Sequence, residues 1–352
     1  MVVNKTHLLT AFNAYAIVCH VSIDYLKWHG VIQLIQRFLS VNCSQKFFQI
    51  VLLASLISAI FQVSLGGVVR VTQSGLGCPD WPLCHGQIVP PIEAASLIEF
   101  SHRLSAALLA ILVLTATIAA WKIYRSYSRP TISILVTFIL VLCAAVLGAV
   151  SVITELAWWA VLVHLAIAEL VIAFLVITFL FSQVQDTRNL ASDLLTKFPR
   201  WMNMYVGLTV FLTFLLILTG SYMVGLGYGS VCASWPLCRG ALFPDGTPFM
   251  IHMFHRILGG LVTLLVIGIV VTFYTKGLRN GKLDIAVLLL FVSFVFQILI
   301  GAVIIWTGFD IWIRSIHLTM ATLSWAFLVL VAGIYFMGTR LDWNMSLTSS
   351  KM

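Results

Sequence analysis

Apolar residues dominate the chain in eight long runs that are separated by short, more polar segments. The runs cover approximately residues 48–68, 98–121, 131–153, 157–181, 202–224, 250–274, 284–306 and 314–337. Each is long enough to cross the hydrocarbon core of a bilayer, which takes about 20 residues of helix. Because backbone polar groups in lipid must be satisfied within their own segment, the pattern predicts eight transmembrane α-helices.

The overall composition indicates a membrane environment for most of the chain. Hydrophobic residues make up 61% and charged residues only 9% of the 352 residues, whereas roughly a quarter of the residues are charged in ordinary globular proteins. So few charges cannot cover a water-exposed surface, which excludes a soluble protein. The net charge of +8 does not indicate nucleic-acid binding, because the basic residues lie between the apolar runs and form no single patch.

The basic residues between the runs predict the orientation of the chain. Fifteen of the 20 Lys and Arg residues fall on one side, three (Arg70, Arg239 and Arg314) fall on the other, and the remaining two lie within runs. Cytoplasmic loops are enriched in Lys and Arg. We therefore expect both termini in the cytoplasm and the loops 69–97 and 225–249 on the outer side.

The second half of the chain repeats the first. Residues of the first outer loop recur 154 residues later, and residues of the following runs recur 153 residues later. Four runs map onto four runs that start on the same side, which indicates a parallel repeat with its axis along the membrane normal. The matched positions include Cys78 with Cys232, Trp81–Cys84 with Trp235–Cys238, His102 with His255, Gly148 with Gly301, and His164 with His317.

The predicted fold class is an all-α membrane protein of eight transmembrane helices. We expect two tandem four-helix bundles that are related by a pseudo-twofold axis along the membrane normal. The first residues of the chain contain polar side chains and form a poor span. The expected organisation is a cytoplasmic or interfacial extension at 1–46, an N-terminal bundle at 47–182, a cytoplasmic linker at 183–201, a C-terminal bundle at 202–338 and a cytoplasmic tail at 339–352.

Four histidines lie inside the apolar runs: His102, His164, His255 and His317. Polar side chains in a membrane are costly and usually functional. An isolated intramembrane histidine often serves only as a hydrogen-bonding partner between helices, but these four form two pairs with the same internal spacing of 62 residues. At a rise of about 1.5 Å per residue, the two histidines of a pair lie at nearly the same depth.

Two imidazoles at one depth, on two helices of a bundle, suit the two axial positions of a heme iron. A zinc site would need three or four ligands close together, and no cysteine or acidic residue is supplied at that depth in both halves. Copper held by two histidines is a less natural alternative. The histidines therefore predict one heme site in each half.

The two halves differ one turn before the first histidine of each pair. The first half has Glu99 three residues before His102. At the corresponding place in the second half, His252 precedes His255. Residues at this spacing share a helix face, so we expect the carboxyl group of Glu99 beside the first heme position, where it could deliver or remove protons. The alternative is that Glu99 only marks the membrane interface or holds a helix end. The first half is thus the candidate reaction site, and the second half is expected to hold a fixed redox cofactor.

Two cysteine pairs lie in the predicted outer loops with the same spacing, Cys78 with Cys84 and Cys232 with Cys238. Disulfides persist in an oxidising compartment, so each pair is a disulfide candidate that closes a small loop over the heme level. Three interpretations stay open: purely structural disulfides, free thiols, or a redox or heme-handling role. Cys143 lies within a run and is expected to pack there.

Arg103 and Arg256 directly follow the first histidine of each pair. A guanidinium group matches a carboxylate in geometry, so both arginines are candidates for binding heme propionates. Snorkelling toward the membrane surface is the alternative.

These residues resemble the motifs of the heme A synthase family. The segment Glu99–Arg103 is similar to the family's Glu-x-x-His motif. His164, His255 and His317 fall where the family has its other heme-associated histidines. The first outer loop resembles that of the cysteine-containing members through Thr72, Gly75, Cys78, Pro79, Trp81, Pro82 and Cys84. The resemblance covers residues 48–337, and the extension at 1–46 has no counterpart in it.

The resemblance implies an oxidoreductase that makes heme A for the assembly of terminal oxidases. Members of the family oxidise the C8 methyl group of heme O to a formyl group by successive hydroxylations. By this resemblance, His102 and His164 would bind the substrate heme O, and Glu99 would be the essential catalytic carboxylate. His255 and His317 would bind one resident heme b, and the cysteine pair of the first outer loop is implicated in heme or electron handling.

The expected location is the plasma membrane of a prokaryote, as a multi-pass protein with both termini cytoplasmic. The expected partners are heme O, the lipid bilayer, a heme O synthase and an electron donor of the quinol or ferredoxin type, and a homo-oligomer is allowed; nucleic acid is not expected. Two other functions compete. A diheme electron carrier would hold two equivalent, permanent hemes, and a heme exporter or chaperone would release heme unmodified.

Overall fold

The structure, a computed structural model, describes residues 31–124, 128–183, 201–275 and 281–349. Eight long α-helices account for most of these residues, and a short 3-10 helix (Ser74–Leu76) follows the first of them. The helices are α1 (Val31–Val71), α2 (Ala94–Tyr124), α3 (Arg129–Ile153), α4 (Trp158–Ser182), α5 (Trp201–Gly225), α6 (Thr247–Thr275), α7 (Gly281–Trp306) and α8 (Ile311–Ser349).

Each of the eight helices contains a segment long and apolar enough to cross a membrane. These segments extend up to about four residues beyond the predicted runs, because helical backbone continues past the apolar stretch into the membrane interface. The prediction of an all-α membrane protein with eight spanning helices is confirmed. The pseudo-twofold relation between the halves stays a prediction.

The structure describes only part of the segments in the predicted division into domains. Residues 1–30 of the predicted extension, 184–200 of the predicted linker and 350–352 of the predicted tail lie outside the described residues. Helix α1 runs without interruption through the predicted boundary at residue 46, and α8 continues past the predicted boundary at residue 338. The division itself stays a prediction.

Successive helices run in opposite directions. Helices α1, α3, α5 and α7 therefore end on the side that carries the two cysteine loops, which we call the disulfide side, and α2, α4, α6 and α8 begin there. Gly75, after α1, lies against Leu156, before α4, and Gly225 at the end of α5 lies against Trp158 at the start of α4. Helix ends from both halves thus meet at one level.

The two halves share a hydrophobic core. Helices α1 and α4 both pack against α8, and α4 also packs against α5. One cluster of buried side chains combines Leu52, Ala116 and Ile172 of the first half with Ile217 and Trp325 of the second. Close packing holds helices together in lipid. These contacts therefore fix the position of one half relative to the other, and with it the relative position of the two histidine pairs.

Several buried hydroxyl groups find hydrogen-bond acceptors within their own helices. Ser55, Thr117, Thr137 and Thr213 each donate to the carbonyl oxygen four residues earlier, at 2.7–2.9 Å. Since an unsatisfied polar group is costly in a membrane interior, this local bond allows small polar residues to line the contacts between helices.

Both cysteine pairs form disulfides, Cys78–Cys84 and Cys232–Cys238, with Cα atoms 4.6 and 5.2 Å apart. This finding favours the two disulfide interpretations over free thiols. The expectation that Cys143 packs inside the protein is wrong, because this free cysteine is exposed on α3. An apolar run identifies a span but does not tell which of its faces is turned outward.

Candidate functional site

The four histidines lie in two pairs on alternate helices. His102 is on α2 and His164 is on α4, while His255 is on α6 and His317 is on α8. Within each pair, the two rings are close enough to interact electrostatically. The structure thus brings together the residues that the sequence spacing pairs, with one pair in each half.

Each histidine ring lies against a glycine of the preceding helix. A Cβ atom at Gly66 would lie 3.0 Å from Cε1 of His102, and one at Gly220 would lie 3.1 Å from Cε1 of His255. Both distances are tighter than nine in ten real Cβ contacts, so a side chain at either position would push the ring away. The same relation joins Gly148 to His164 and Gly301 to His317, at 3.5 and 3.3 Å.

In the first half, the orientation of His102 is set by a side chain of α1. Nε2 of Gln62 lies 3.2 Å from both ring nitrogens of His102. The amide of Gln62 is held in turn by Ser105, one turn after His102, whose hydroxyl donates to Oε1 of Gln62. The ring is therefore positioned by a chain of contacts between α1 and α2.

In the second half, both rings also have polar neighbours on the preceding helix. Oγ1 of Thr219 lies 3.0 Å from Nδ1 of His255, and Nε2 of Gln297 lies 3.3 Å from Nε2 of His317. Nδ1 of His317 and Nδ1 of His164 are buried without a hydrogen-bond partner among the described residues. Within each pair, the first histidine therefore has a polar side chain at its Nδ1 atom and the second has none in the described part of the chain.

A cavity of about 500 Å³ lies beside the second histidine pair. His255 and His317 form part of its wall, the glycines Gly220 and Gly301 leave space next to the two rings, and most of the other lining residues are apolar. Pockets that enclose organic ligands typically measure about 300–1,000 Å³. The cavity therefore has the size and the apolar character that a large flat ligand requires.

The donor sets of the two halves fit a heme better than a bare metal ion. In the part of the chain that the structure describes, no three His, Cys, Asp or Glu side chains are grouped to hold a metal ion, whereas zinc takes three or four protein ligands. A heme iron takes one or two axial ligands from the protein, because the porphyrin supplies the rest. The two imidazoles of the second half, which line an apolar cavity, meet that requirement.

Glu99 is joined to the first disulfide loop through Arg103. The Glu99 side chain is buried, and its Oε1 accepts a 2.9 Å hydrogen bond from Nε of Arg103. The other nitrogens of this guanidinium donate to the carbonyl oxygens of Cys78, Asp80 and Leu83 at 2.6–2.7 Å. The arginine thus balances the charge of the carboxylate and ties its position to the loop.

The second half repeats this arrangement with histidine in place of the acid. Arg256 donates to the carbonyl oxygens of Cys232 and Ser234 at 3.1 and 2.6 Å, and its Nη2 lies 3.3 Å from Nε2 of His252. Nδ1 of His252 lies 3.2 Å from the carbonyl oxygen of Tyr228. His252 therefore accepts from the arginine through Nε2 and donates to the loop through Nδ1.

Arg103 and Arg256 thus hold the disulfide loops. This role is not among those that the sequence suggests, and the binding of heme propionates by Arg103 or Arg256 stays a prediction. The difference has a tertiary cause: each loop folds back over the start of the helix that follows it, which places carbonyl oxygens 20 to 25 residues earlier in the chain within reach of the guanidinium.

Asp80 closes the first disulfide loop. Its carboxylate oxygens accept hydrogen bonds from the backbone N–H groups of His85 and Gly86, at 2.6 and 2.7 Å. These bonds, above all the one from Gly86, hold the pKa of Asp80 below its ordinary value. At the equivalent position of the second loop, the hydroxyl of Ser234 accepts from the backbone N–H of Arg239. The second loop therefore makes the same kind of turn without a titrating group.

Several residues near the histidines are missed by sequence reasoning. Gln62, Thr219 and Gln297 contact ring nitrogens, and Arg70 and Arg314 line the cavity but count only as loop charges in the sequence. The internal repeat does give a signal for the glycines beside the histidines. Gly66 and Gly220 are related by the shift of 154 residues, and Gly148 and Gly301 are related by the shift of 153 residues.

Comparison with known proteins adds two findings. A family model described as cytochrome oxidase assembly protein matches residues 49–329. The heme A synthase of Geobacillus kaustophilus (strain HTA426) is 26% identical over 268 residues, which cover 75% of this chain and 84% of the relative. The heme A synthase of Alkalihalophilus pseudofirmus is 27% identical over 255 residues, with coverages of 72% and 85%. That of Staphylococcus saprophyticus is 29% identical over 284 residues, with coverages of 77% and 89%.

Proposed function

Because the chain belongs to the family of cytochrome oxidase assembly proteins, we propose that it is a heme A synthase, which oxidises the C8 methyl group of heme O to a formyl group. The observation that carries the proposal is two histidine pairs in one helical protein, with a buried carboxyl group, Glu99, one turn before the first pair only. This asymmetry suits an enzyme that reacts at one site and keeps a redox cofactor at the other.

The second half is the proposed site of the resident heme b, which His255 and His317 would hold. The hydroxyl of Thr219 donates to the carbonyl oxygen of Leu216 at 2.8 Å. It is therefore left to accept from Nδ1 of His255, which directs the lone pair of Nε2 toward an iron ligand position. When bound, this heme supplies one-electron transfer.

The first half is the proposed substrate site, with His102 and His164 on either side of heme O. Gln62 and Ser105 keep the His102 ring in place from α1 and α2, and the missing side chain at Gly66 leaves the ring room against α1. These features support a site that is prepared for a ligand.

Glu99 is the proposed general base or acid of the reaction. Oxidation of a methyl group to a formyl group exchanges protons as well as electrons with the site, and a carboxylate on the face of α2 that carries His102 is placed to deliver or remove those protons. Arg103 holds one oxygen of Glu99 and leaves the other oxygen available to a proton.

The surroundings of the proposed enzyme follow from its spans and its relatives. The chain is a multi-pass membrane protein of a prokaryote, as its eight spanning helices and its bacterial relatives indicate. In the proposed arrangement both termini face the cytoplasm, a heme O synthase provides the substrate, and a quinol or a ferredoxin-type protein exchanges electrons with the heme b site. The disulfide of the first loop lies on the opposite side, tied to Glu99 through Arg103.

Pigment analysis tests the proposed function. The full chain is expressed in membranes together with an enzyme that makes heme O, the hemes are extracted with acidified solvent, and they are separated by chromatography with mass detection. Heme A that appears only when this chain is present supports the proposal. A folded, red protein whose membranes contain only heme b and heme O would contradict it and would favour a diheme electron carrier.

A further inference from the structure

Cationic side chains gather at one end of the cavity beside His255 and His317. Arg70 in the last turn of α1, Arg256 on α6 and Arg314 in the first turn of α8 all line it. Their positions lie toward the disulfide-side ends of these helices. The cavity is therefore apolar along most of its wall and positively charged at its disulfide-side end.

The charges of Arg70 and Arg314 are not balanced by acidic side chains. Among the described residues, the one ion pair within 4.0 Å is that of Arg103 with Glu99. Arg70 donates to the hydroxyl and to the carbonyl oxygen of Ser221, at 3.0 and 3.1 Å. Nε of Arg314 is buried and has no hydrogen-bond partner in the described part of the chain. These two guanidinium groups keep N–H donors for an anionic partner.

The remaining arginine at this end has little left to donate. Arg256 already makes hydrogen bonds to the loop carbonyls of Cys232, Ser234 and Pro236. It therefore holds protein rather than ligand. Arg70 and Arg314 are therefore the two arginines of this cavity that keep the most N–H donors for a ligand.

The cavity predicts a flat ligand that is apolar over most of its area and carries two carboxylates along one edge. A guanidinium group presents a planar fork of N–H donors that matches a carboxylate, and burying its charge without a partner is unfavourable. A porphyrin with two propionates has this distribution of charge. On the basis of the proposed heme site, we infer that Arg70 and Arg314 bind the two propionates of the heme that His255 and His317 hold.

Arg70 and Arg314, which we call the arginine clamp, join the two halves of the chain. Arg70 belongs to α1 of the first half, and its bonds to Ser221 reach α5 of the second. The cofactor site of the second half is therefore incomplete without the first half. No single-bundle fragment would contain the whole site.

The clamp also distinguishes the two heme sites from each other. By the repeat shifts, the position equivalent to Arg70 is Val224 and the position equivalent to Arg314 is Val161. The first-half site therefore lacks this pair of charges. Weaker retention there suits a substrate that has to leave after oxidation, and stronger retention in the second half suits a permanent cofactor.

The test measures heme binding by the full chain with both His102 and His164 changed to alanine, so that only the second pair can ligate. Protein from a heme-deficient host is titrated with heme b or with its dimethyl ester, in which the propionates carry no charge, and binding is followed by the Soret absorbance. The variants are R70Q and R314Q. The control is R239Q, because Arg239 lies exposed on the disulfide side and does not line the cavity.

We expect R70Q and R314Q each to weaken the binding of heme b by about tenfold or more, as loss of a charge-assisted hydrogen bond does. R239Q should bind heme b like the starting protein. The dimethyl ester should bind weakly throughout and should be insensitive to all three substitutions. R70K and R314K keep the charge, so partial recovery of heme b binding would separate loss of the charge from damage to the fold.

Two results would overturn the inference: equal binding of heme b and the ester by the starting protein, or equal weakening of both by the arginine variants. Failure of the proposed function gives a different result. In that case the pigment analysis would show no heme A, whereas the binding of heme b to the protein and its dependence on Arg70 and Arg314 would be measured independently of that result.

Discussion

The hydroxyl of Thr322 donates a 2.7 Å hydrogen bond to Oε1 of Glu169, and these two residues occupy equivalent positions of the internal repeat, 153 residues apart. The side chains of both are fully buried. The indole of Trp325 donates to the backbone carbonyl oxygen of Glu169 at 2.9 Å in the same contact between α4 and α8. A contact between equivalent residues is expected where a twofold axis passes between two halves, so this site is where the predicted pseudo-symmetry can be probed.

Replacement of Glu169 tests how far this contact holds the halves together. Glu169→Gln keeps an acceptor for Thr322 and should leave stability nearly unchanged. Glu169→Leu removes the acceptor from a buried hydroxyl and should lower the free energy of unfolding by about 1–3 kcal/mol. Thermal unfolding of the purified protein in one detergent measures the difference. Equal loss of stability in both variants would show that shape, and not the hydrogen bond, matters at this position.

Replacement of Glu99 tests the proposed proton transfer. Glu99→Gln keeps an oxygen that accepts from Arg103, so the loop and the bound heme should be retained, but the amide cannot take up a proton. We expect the conversion of heme O to heme A to fall by about 10²-fold or more, measured as the ratio of the two hemes in extracted membranes. The control is Glu93→Gln, because Glu93 is exposed just before α2. Full heme A production by Glu99→Gln would refute the assignment.

The glycine contacts predict that a single methyl group disturbs heme binding. In Gly220→Ala, the new Cβ would lie 3.1 Å from Cε1 of His255, so the ring must turn and the second-half heme should be lost or altered in its optical spectrum. Gly207→Ala on the same helix is the matched control, because its nearest neighbour, Cζ of Phe336, would be 4.0 Å away. Both changes favour the helix equally. Normal heme content in Gly220→Ala would mean that this close approach is not required.

The first disulfide loop should open more readily in acid. The folded-state pKa of Asp80 lies below its ordinary value of 3.8, so the stabilisation is complete above that pH and is lost as pH falls through the lowered pKa. We expect the Cys78–Cys84 disulfide to be reduced by a phosphine several times faster in Asp80→Asn than in the unchanged protein at neutral pH. The two proteins should converge at low pH. Thiol labelling followed by mass analysis measures the rates.

The second loop provides an internal control for this prediction. Ser234 replaces the carboxylate there, so the reduction rate of Cys232–Cys238 should not change over the pH range in which Asp80 titrates. The same dependence on pH in both loops would contradict a role for the Asp80 carboxylate and would indicate a general loosening of the protein in acid.

The spans, the repeat and the pairing of the histidines could be predicted from the sequence. Each depends only on the residue types and their spacing along the chain, and none depends on which helix faces meet. A run of apolar residues decides whether a segment can lie in lipid, whatever its neighbours are. The level of His102 within α2 follows from the helical rise alone. A shared spacing of 62 residues was therefore sufficient to pair the four histidines.

The tertiary structure alone decided which faces meet. The approach of Gly220 to His255 joins two consecutive helices. The hydrogen bonds from Arg70 to Ser221 and from Thr322 to Glu169 join helices about 150 residues apart in the chain. The tertiary structure also brings the loop that precedes α6 back over Arg256, so this arginine donates hydrogen bonds to the loop carbonyls. Hydropathy is almost uniform around these helices, because both lipid and core favour apolar residues. The direction in which a helix turns its few polar side chains is therefore set by close packing against its neighbours.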